Sequence, residues 1–290
     1  MRLLILSRNK KLHSMRRLLH EAKKARVQAE VVDPLDCQLL LQGRASAVLL
    51  GGTPLPHYDA VLPRIGASIT DYGLAVVRQF EALGTRTVNS SKAIGESRNK
   101  MRALQMMTQA GLQVPVTALT RTQRNLRAIV EQLGGLPIVL KMLKGTQGVG
   151  VMLMHTPISL GTVLETLRGL EQDVLIQQFI AEGAGRDYRA LVVGDKVIAA
   201  MMRRAPEGEF RSNIHRGGEG TLVKLPPAYE KAALKACKVL GLEVAGVDLM
   251  ESNQGPTILE VNSSPGFEGI EKATGLNIAR AIIQHIKRTR

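Results

Sequence analysis

A chain of 290 residues that is 44% hydrophobic and 22% charged has the makeup of a folded globular protein, not of a disordered or fibrous one. Its 39 Lys and Arg against 25 Asp and Glu leave a formal charge of +14, which draws polyanions, nucleic acid and acidic peptides among them. Aromatic residues make up only 3% and tryptophan is absent; stacking platforms for single-stranded nucleic acid are therefore scarce, and an acidic protein or amino-acid substrate fits the charge at least as well as RNA.

In chain order, residues 3–6, 27–32 and 60–63 read as short apolar strands, and a basic amphipathic helix over 14–25 lies between the first two. This is a β-α-β opening to an α/β domain without the G-x-G-x-x-G turn of a dinucleotide site. Helices are expected over 70–83 and 91–110, the second stopped by Gly111. A strand over 116–120, a helix over 123–133, a Gly134-Gly135 break and a strand over 137–141 mark a second lobe. The remainder is strand-rich, at 151–155, 174–180, 188–193, 197–203, 244–250 and 257–261, with helices near 159–167, 228–240 and 277–287. The expected division is 1–94, 95–180 and 181–290.

The apolar start of the chain is too short for a signal-peptide core, and no run approaches the roughly 18 apolar residues of a membrane span. A soluble cytoplasmic protein with no membrane partner is expected. Cys37 and Cys237 form no C-x-x-C pair and read as buried inert thiols, and the six histidines form no metal motif.

Three segments carry chemistry. The first runs from Asp248 to Asn262 and folds as a hairpin about its Ser252–Pro256 turn. Folding it symmetrically about Gln254 sets Asp248 opposite Glu260, while Glu260 and Asn262, two apart, share a face. Two facing carboxylates at 4 Å would repel by about 4 kcal/mol at an effective dielectric of 20. A cation between them is therefore expected, and hard oxygen donors suit magnesium held with phosphates. The second segment is Lys141 followed by Gly145, Gly148 and Gly150. Its glycines let backbone N–H groups approach phosphate oxygens and its lysine adds charge, although it is not a Walker motif. The third, Arg203-Arg204, Arg211-Ser212-Asn213 and His215-Arg216-Gly217-Gly218, offers guanidinium groups that can grip phosphate or carboxylate bidentately.

Taken in order, Lys100, Lys141 with its glycine loop, Gln177-Gln178-Phe179-Ile180, Asp187, Arg203, Arg211-Ser212-Asn213, Asp248 and Glu260-Val261-Asn262 resemble the ATP-grasp superfamily. More narrowly they resemble the RimK-like ligases, as do Pro63-Arg64-Ile65-Gly66 and the run from Asn262 to Glu271. The resemblance covers nearly the whole chain. It implies an α/β ATP-grasp fold behind an N-terminal pre-ATP-grasp domain, ATP as the nucleotide and two magnesium or manganese ions.

On the same ground, Lys100, Lys141, Gly145, Gly148 and Gly150 contact phosphates, Gln178 and Phe179 form the adenine hinge, and Asp187 binds ribose. Arg211, Ser212 and Asn213 line the nucleotide, and Asp248, Glu260 and Asn262 hold the metals. Arg8, Arg64 and Arg216 are candidates for substrate carboxylates, and Lys141 and Arg203 offset charge during phosphoryl transfer. The implied reaction adds L-glutamate to the C-terminus of a ribosomal protein, the sixth of the small subunit, and can repeat to give poly-glutamate. Nucleic acid is not required, and a homo-oligomer is expected. Two other readings stand beside it: a related ligase with a small-molecule or amino-carrier-protein acceptor, and a non-catalytic basic protein that binds ribosomal RNA.

Overall fold

The computed structural model describes residues 1–121, 124–143, 150–212 and 217–289. The first domain contains β1 (Arg2–Leu6), α1 (His13–Lys24), β2 (Gln28–Val32), β3 (Cys37–Leu40), β4 (Ala47–Leu50), β5 (Thr53–Pro54), β6 (Ala60–Pro63), α2 (Thr70–Ala82) and β7 (Arg86–Thr87). Its main sheet is parallel, in the order β2-β1-β6-β7. The run Leu3 to Leu6 is fully buried because both faces of β1 are covered. Leu3 and Ile5 pack with α1 and the C-terminal helix, and Leu4 and Leu6 pack with α2.

Next come α3 (Ser91–Arg98) and α4 (Lys100–Gln109). The single helix expected over 91–110 is thus two. Asn99 leaves the helical region (φ −77°, ψ 97°) and its Oδ1 accepts the Arg102 N–H at 3.0 Å. An asparagine gains more by capping a new helix than by continuing the old one. The break makes Lys100 the first residue of α4.

The second lobe holds β8 (Thr117–Thr120), α5 (Leu126–Gln132), β9 (Ile138–Met142), β10 (Val151–Met154), α6 (Pro157–Gly169) and β11 (Val174–Gln178), with the antiparallel order β10-β9-β11-β8. The third holds β12 (Arg186–Val193), β13 (Lys196–Arg204), β14 (Glu219–Leu222), α7 (Pro227–Leu240), β15 (Val244–Ser252), β16 (Gly255–Asn262), α8 (Glu268–Thr274) and α9 (Ile278–Arg288). Its antiparallel sheet runs β14-β13-β12-β15-β16. The β3-β4-β5 sheet, β7, β14 and α8 are additions to the sequence-based reading, short elements whose composition gives little periodic signal. Among the described residues no helix is long and apolar enough to cross a membrane.

One buried side chain joins the first domain to the third. Asn89, 1% exposed, donates Nδ2 to Val244 O (2.7 Å) and Ser263 O (2.8 Å), and its Oδ1 accepts from the N–H groups of Glu243 (2.7 Å) and Val244 (2.8 Å). Beside it Arg86 and His285 both reach Glu243, at 2.6 and 2.7 Å.

Candidate active site

The two faces of the C-terminal sheet differ sharply. Ala190, Val192, Ala245, Val247, Leu249, Ile258 and Val261 point into the core beneath α4 and α7. Asp187, Arg189, Arg203 and Asp248 lie on the opposite face, in register across β12, β13 and β15. Alternation along each strand is enough to set this face on three of the four strands.

The fourth, β16, needs an irregularity. The turn closes tightly at Ser252↔Gly255, with Gly255 at φ +98° and the Gln254 N–H donating to Ser252 Oγ at 3.2 Å. That register carried straight on would set Glu260 against Val247, on the apolar face. A bulge absorbs Leu259, so that Leu249 still pairs with Ile258 but Asp248 pairs with Glu260 and Gly246 with Asn262. The pairing expected from symmetry about Gln254 is found, but the turn is shorter and the bulge supplies the extra residue.

Burial works against the Asp248 charge, but Arg189 and Arg203 hold its carboxyl below the usual range. Arg189 donates Nε and Nη2 to its two oxygens at 2.7 and 2.6 Å, and Arg203 Nη2 lies 3.1 Å away. Arg203, 3% exposed, also grips Asp187 through Nε (2.6 Å) and Nη2 (2.5 Å). Burial opposes the Arg203 charge, but Asp248 and Asp187 outweigh it and raise its pKa. The Asp187 carboxylate, expected at a ribose, is thus engaged by Arg203 in this structure.

Glu260 is exposed. The surrounding protein and then the Asp248 charge hold it above the ordinary carboxylate range, while Lys141, Arg189 and Lys100 pull it down. Lys141 projects from β9 of the facing sheet. Burial lowers its pKa, and Glu260, then Asp248 on the favourable side, offsets this against the repulsion from Lys100. Lys100 responds to burial and Glu260 in the same way, and its Nζ donates to Leu143 O at 2.9 Å. Two sheets and the first turn of α4 therefore bring two lysines and two carboxylates into one electrostatic cluster.

The remaining candidates lie on other segments. Gly150 has φ +74°, and a Cβ there would meet Met142 Sδ at 2.7 Å, so the base of the glycine segment admits no side chain. Gln178 ends β11, its N–H bonded to Val116 O at 2.9 Å, and half-buried Phe179 follows. Arg211 spans the two lobes, donating Nη1 to Val151 O (3.1 Å) and pairing with Glu209 (2.7 Å); Ser212 is buried. Arg64 Nη2 donates to Pro265 O at 2.5 Å and its guanidinium sits 5.7 Å from the Phe267 ring centroid. Burial pulls its pKa down to about 10. Arg8 is exposed and reaches Ser68 Oγ, at 3.4 Å. Gly145, Gly148, Asn213 and Arg216 lie outside the described residues.

Sequence reasoning passed over Arg189 and gave Gln177, named only as part of the run 177–180, no role of its own. Gln177, 2% exposed, lies one strand pair from Lys141 and shares its side of the sheet; its Nε2 bonds Thr117 Oγ1 (2.7 Å) while its Oε1 has no partner. A polar residue directly after the apolar run 174–176, within the strand expected over 174–180, was the available signal.

Among the described residues no three His, Cys, Asp or Glu side chains gather at one point. With Asp187 engaged by Arg203, the donors left on this face for a metal are the Asp248 and Glu260 carboxylates and the Asn262 amide. Arg189 and Arg203 use part of the lone-pair capacity of Asp248 and leave the rest. Hard oxygen donors beside two ammonium groups fit a divalent cation carried with a polyphosphate. They do not form a self-sufficient metal cage.

Comparison with known proteins agrees with this chemistry. Residues 97–286 match the model of a RimK-like ATP-grasp domain and residues 1–94 that of a RimK pre-ATP-grasp domain. A protein of Marinomonas sp. named probable alpha-L-glutamate ligase is 48% identical over 289 residues, covering 100% of this chain and 96% of that protein. Probable alpha-L-glutamate ligase 1 of Shewanella amazonensis is 48% identical over 288 residues, covering 99% and 96%. In fold, the ATP-grasp ligase PsnB, solved with a phosphomimetic variant of its minimal precursor, Mg and ADP, superposes with a TM-score of 0.75 at 19% identity, covering 100% of this chain and 98% of that one.

Proposed function

We infer that this chain, which belongs to the RimK-like ATP-grasp family, joins L-glutamate to the C-terminal carboxylate of an acidic peptide, that of a ribosomal protein. It is an ATP-grasp ligase forming C–N bonds, which sets aside the non-catalytic RNA-binding reading. The observation that carries the proposal is the placing of Lys141 and Lys100, from β9 and the start of α4, within electrostatic reach of Glu260, with Asp248 paired to Glu260 across β15 and β16. The names of the relatives support glutamate as the amine.

In the proposed reaction an oxygen of the acceptor carboxylate attacks the γ-phosphorus of ATP and ADP leaves, giving an acyl phosphate. The glutamate amine then attacks the acyl carbon, phosphate departs with the C–O electron pair, and the amine loses a proton. Lys141 and Lys100 meet the negative charge of the phosphates, and Arg203 holds Asp187 and Asp248 in place. Asp248, Glu260 and Asn262 are the residues that would hold one or two magnesium or manganese ions, which supply charge neutralisation at the phosphate oxygens. Gln178, Phe179, Arg211 and Ser212 are proposed to line the nucleotide, and Arg64 to hold a substrate carboxylate. No side-chain nucleophile is needed. Each addition leaves a new terminal carboxylate, so the cycle can repeat.

The test is incubation of the enzyme with ATP, Mg2+, labelled glutamate and a peptide ending in glutamate, followed by mass spectrometry. Successive glutamate-sized additions that need ATP and vanish with Glu260→Ala are expected. Robust ADP release with lysine or a small-molecule acceptor, and no addition with glutamate, would sink the substrate assignment.

A further inference from the structure

Ten of the fourteen net positive charges belong to two neighbouring helices and one loop. Residues 8–26 hold eight Lys or Arg against one acid, Glu21, and α9 adds Arg280, Lys287 and Arg288 with no acid. The two helices lie side by side and run in the same direction. Glu271, just ahead of α9, accepts the Ile278 N–H (2.9 Å) and holds His13 (2.9 Å) and Arg17 (3.2 Å) of α1. At the far end Lys287 Nζ donates to Ala25 O at 3.0 Å. Their apolar sides are buried, so Arg16, Lys23 and Lys24 of α1 and Arg280, Lys287 and Arg288 of α9 face water in two rows.

The local acids cancel only part of this field. Glu21 lies 3.9 Å from Lys24 and is already counted against the eight, Glu271 offsets Arg17 and engages His13, and Glu268 pairs with Lys272 at 2.9 Å, which leaves most of the exposed Lys and Arg charge of the two rows in place. The strip also has a direction. The His13 ring meets the edge of Phe267 at 6.4 Å, Phe267 lies against Arg64, and Arg64 reaches Pro265, three residues beyond Asn262. The exposed loop bearing Arg8, Lys10 and Lys11 joins β1 to the start of α1. One end of the basic strip is thus at the rim of the candidate active site.

We propose that the α1/α9 face is the track on which the acidic residues preceding the acceptor's C-terminal carboxylate lie; this rests on the glutamate-ligase reading above. A peptide whose terminal carboxylate reacts at the site must trail its preceding residues outward, and the strip offers them opposite charge from the first step. No Phe, Tyr or Trp occurs on either helix, so the face offers few platforms on which nucleic-acid bases can stack. The twelve residues of α1 extend about 18 Å, which an extended peptide covers in about five or six residues. Each added glutamate therefore improves the hold on the product until the track is full, and makes successive additions easier than the first.

The experiment uses the full chain with ATP, Mg2+ and glutamate, and acceptor peptides ending in one to eight glutamates. The acceptor KM should fall with each residue to about six and then level off. The double variant Arg16→Glu/Lys23→Glu should raise the KM for hexaglutamate about tenfold and leave the KM for ATP and for diglutamate unchanged. Arg16→Lys/Lys23→Arg should behave as the parent. Fluorescence anisotropy of labelled hexaglutamate, which needs no turnover, should show the same loss of affinity in the reversal variant. Unchanged peptide binding in that variant overturns the track. So does a duplex RNA that loses affinity in the variant but does not displace the peptide from the parent. If glutamate is transferred to no acceptor, the catalytic reading fails and the anisotropy comparison still decides the track.

Discussion

Replacing Arg203 by methionine isolates the charge network beneath the candidate site. Arg203 is 3% exposed and holds Asp187, itself 5% exposed, through two bonds of 2.6 and 2.5 Å, with Asp248 3.1 Å away. Without it Asp187 is a buried carboxylate facing an apolar side chain, whereas Asp248 keeps both bonds from Arg189. Breaking one side of a buried pair costs about 3–5 kcal/mol. Against a total stability of roughly 5–15 kcal/mol, such a loss is readily measured. Removing both partners, in Arg203→Met/Asp187→Leu, leaves no stranded charge, and the double variant should recover at least about 2 kcal/mol relative to the sum of the two single losses. Urea denaturation followed by circular dichroism gives the three differences, compared at constant m. A single-variant loss below about 1 kcal/mol, or a double variant as unstable as the sum of the two singles, would refute the assignment of Arg203 as the counter-ion on which this face is built.

Asn89→Ala removes four of the bonds that tie the first domain to the third, and with buried backbone groups left unpaired it should cost about 3–5 kcal/mol by the same denaturation; an effect under about 1 kcal/mol would mean that these four bonds are not what holds the joint. Burial opposes the Glu243 charge, but His285 and Arg86 hold its pKa below the ordinary 4.5, so the stabilisation is present above that pH and lost as pH falls through the lowered value. Glu243→Gln should accordingly have a lower Tm than the parent at pH 7 and a similar one in strong acid, and a gap that widens on acidification would reverse the sign. Lys141→Met should weaken ATP binding by about 1.5–3 kcal/mol in calorimetry, with equal affinity ruling out its role at the phosphates. Burial, with Asp36 and Asp33 adding to it, pushes the Cys37 thiol up to about 11, and burial pushes Cys237 up to about 12. Both should be slow toward a thiol reagent at pH 8 in the native protein and fast in denaturant; rapid native labelling would contradict their burial.

Local pattern alone was enough for much of this molecule. The apolar run Leu3 to Leu6, the helical spacing of Met15, Leu18 and Ala22, and the turn residues between Ser252 and Pro256 each report on neighbours within a few positions, and periodicity and turn chemistry act over that range. The hard oxygen donors at Asp248, Glu260 and Asn262 and the lysine ahead of the glycines were legible as chemistry for the same reason. What lay beyond reach were choices made by partners distant in sequence. Asn99 could continue a helix or cap one, and the pull of Lys100 toward Leu143 is available only after the second lobe has folded. The bulge at Leu259 exists because Ile258 and Val261 both enter the core under α7; two apolar residues three apart on a strand can share a face only if one residue between them is taken out of register. Arg189, an ordinary surface arginine by its flanking sequence, becomes the bidentate partner of Asp248 because β12 lies beside β15. The sequence by itself determined which side chains were able to do the chemistry; sheet register, set by burial of apolar residues far apart in the chain, decided which of them meet.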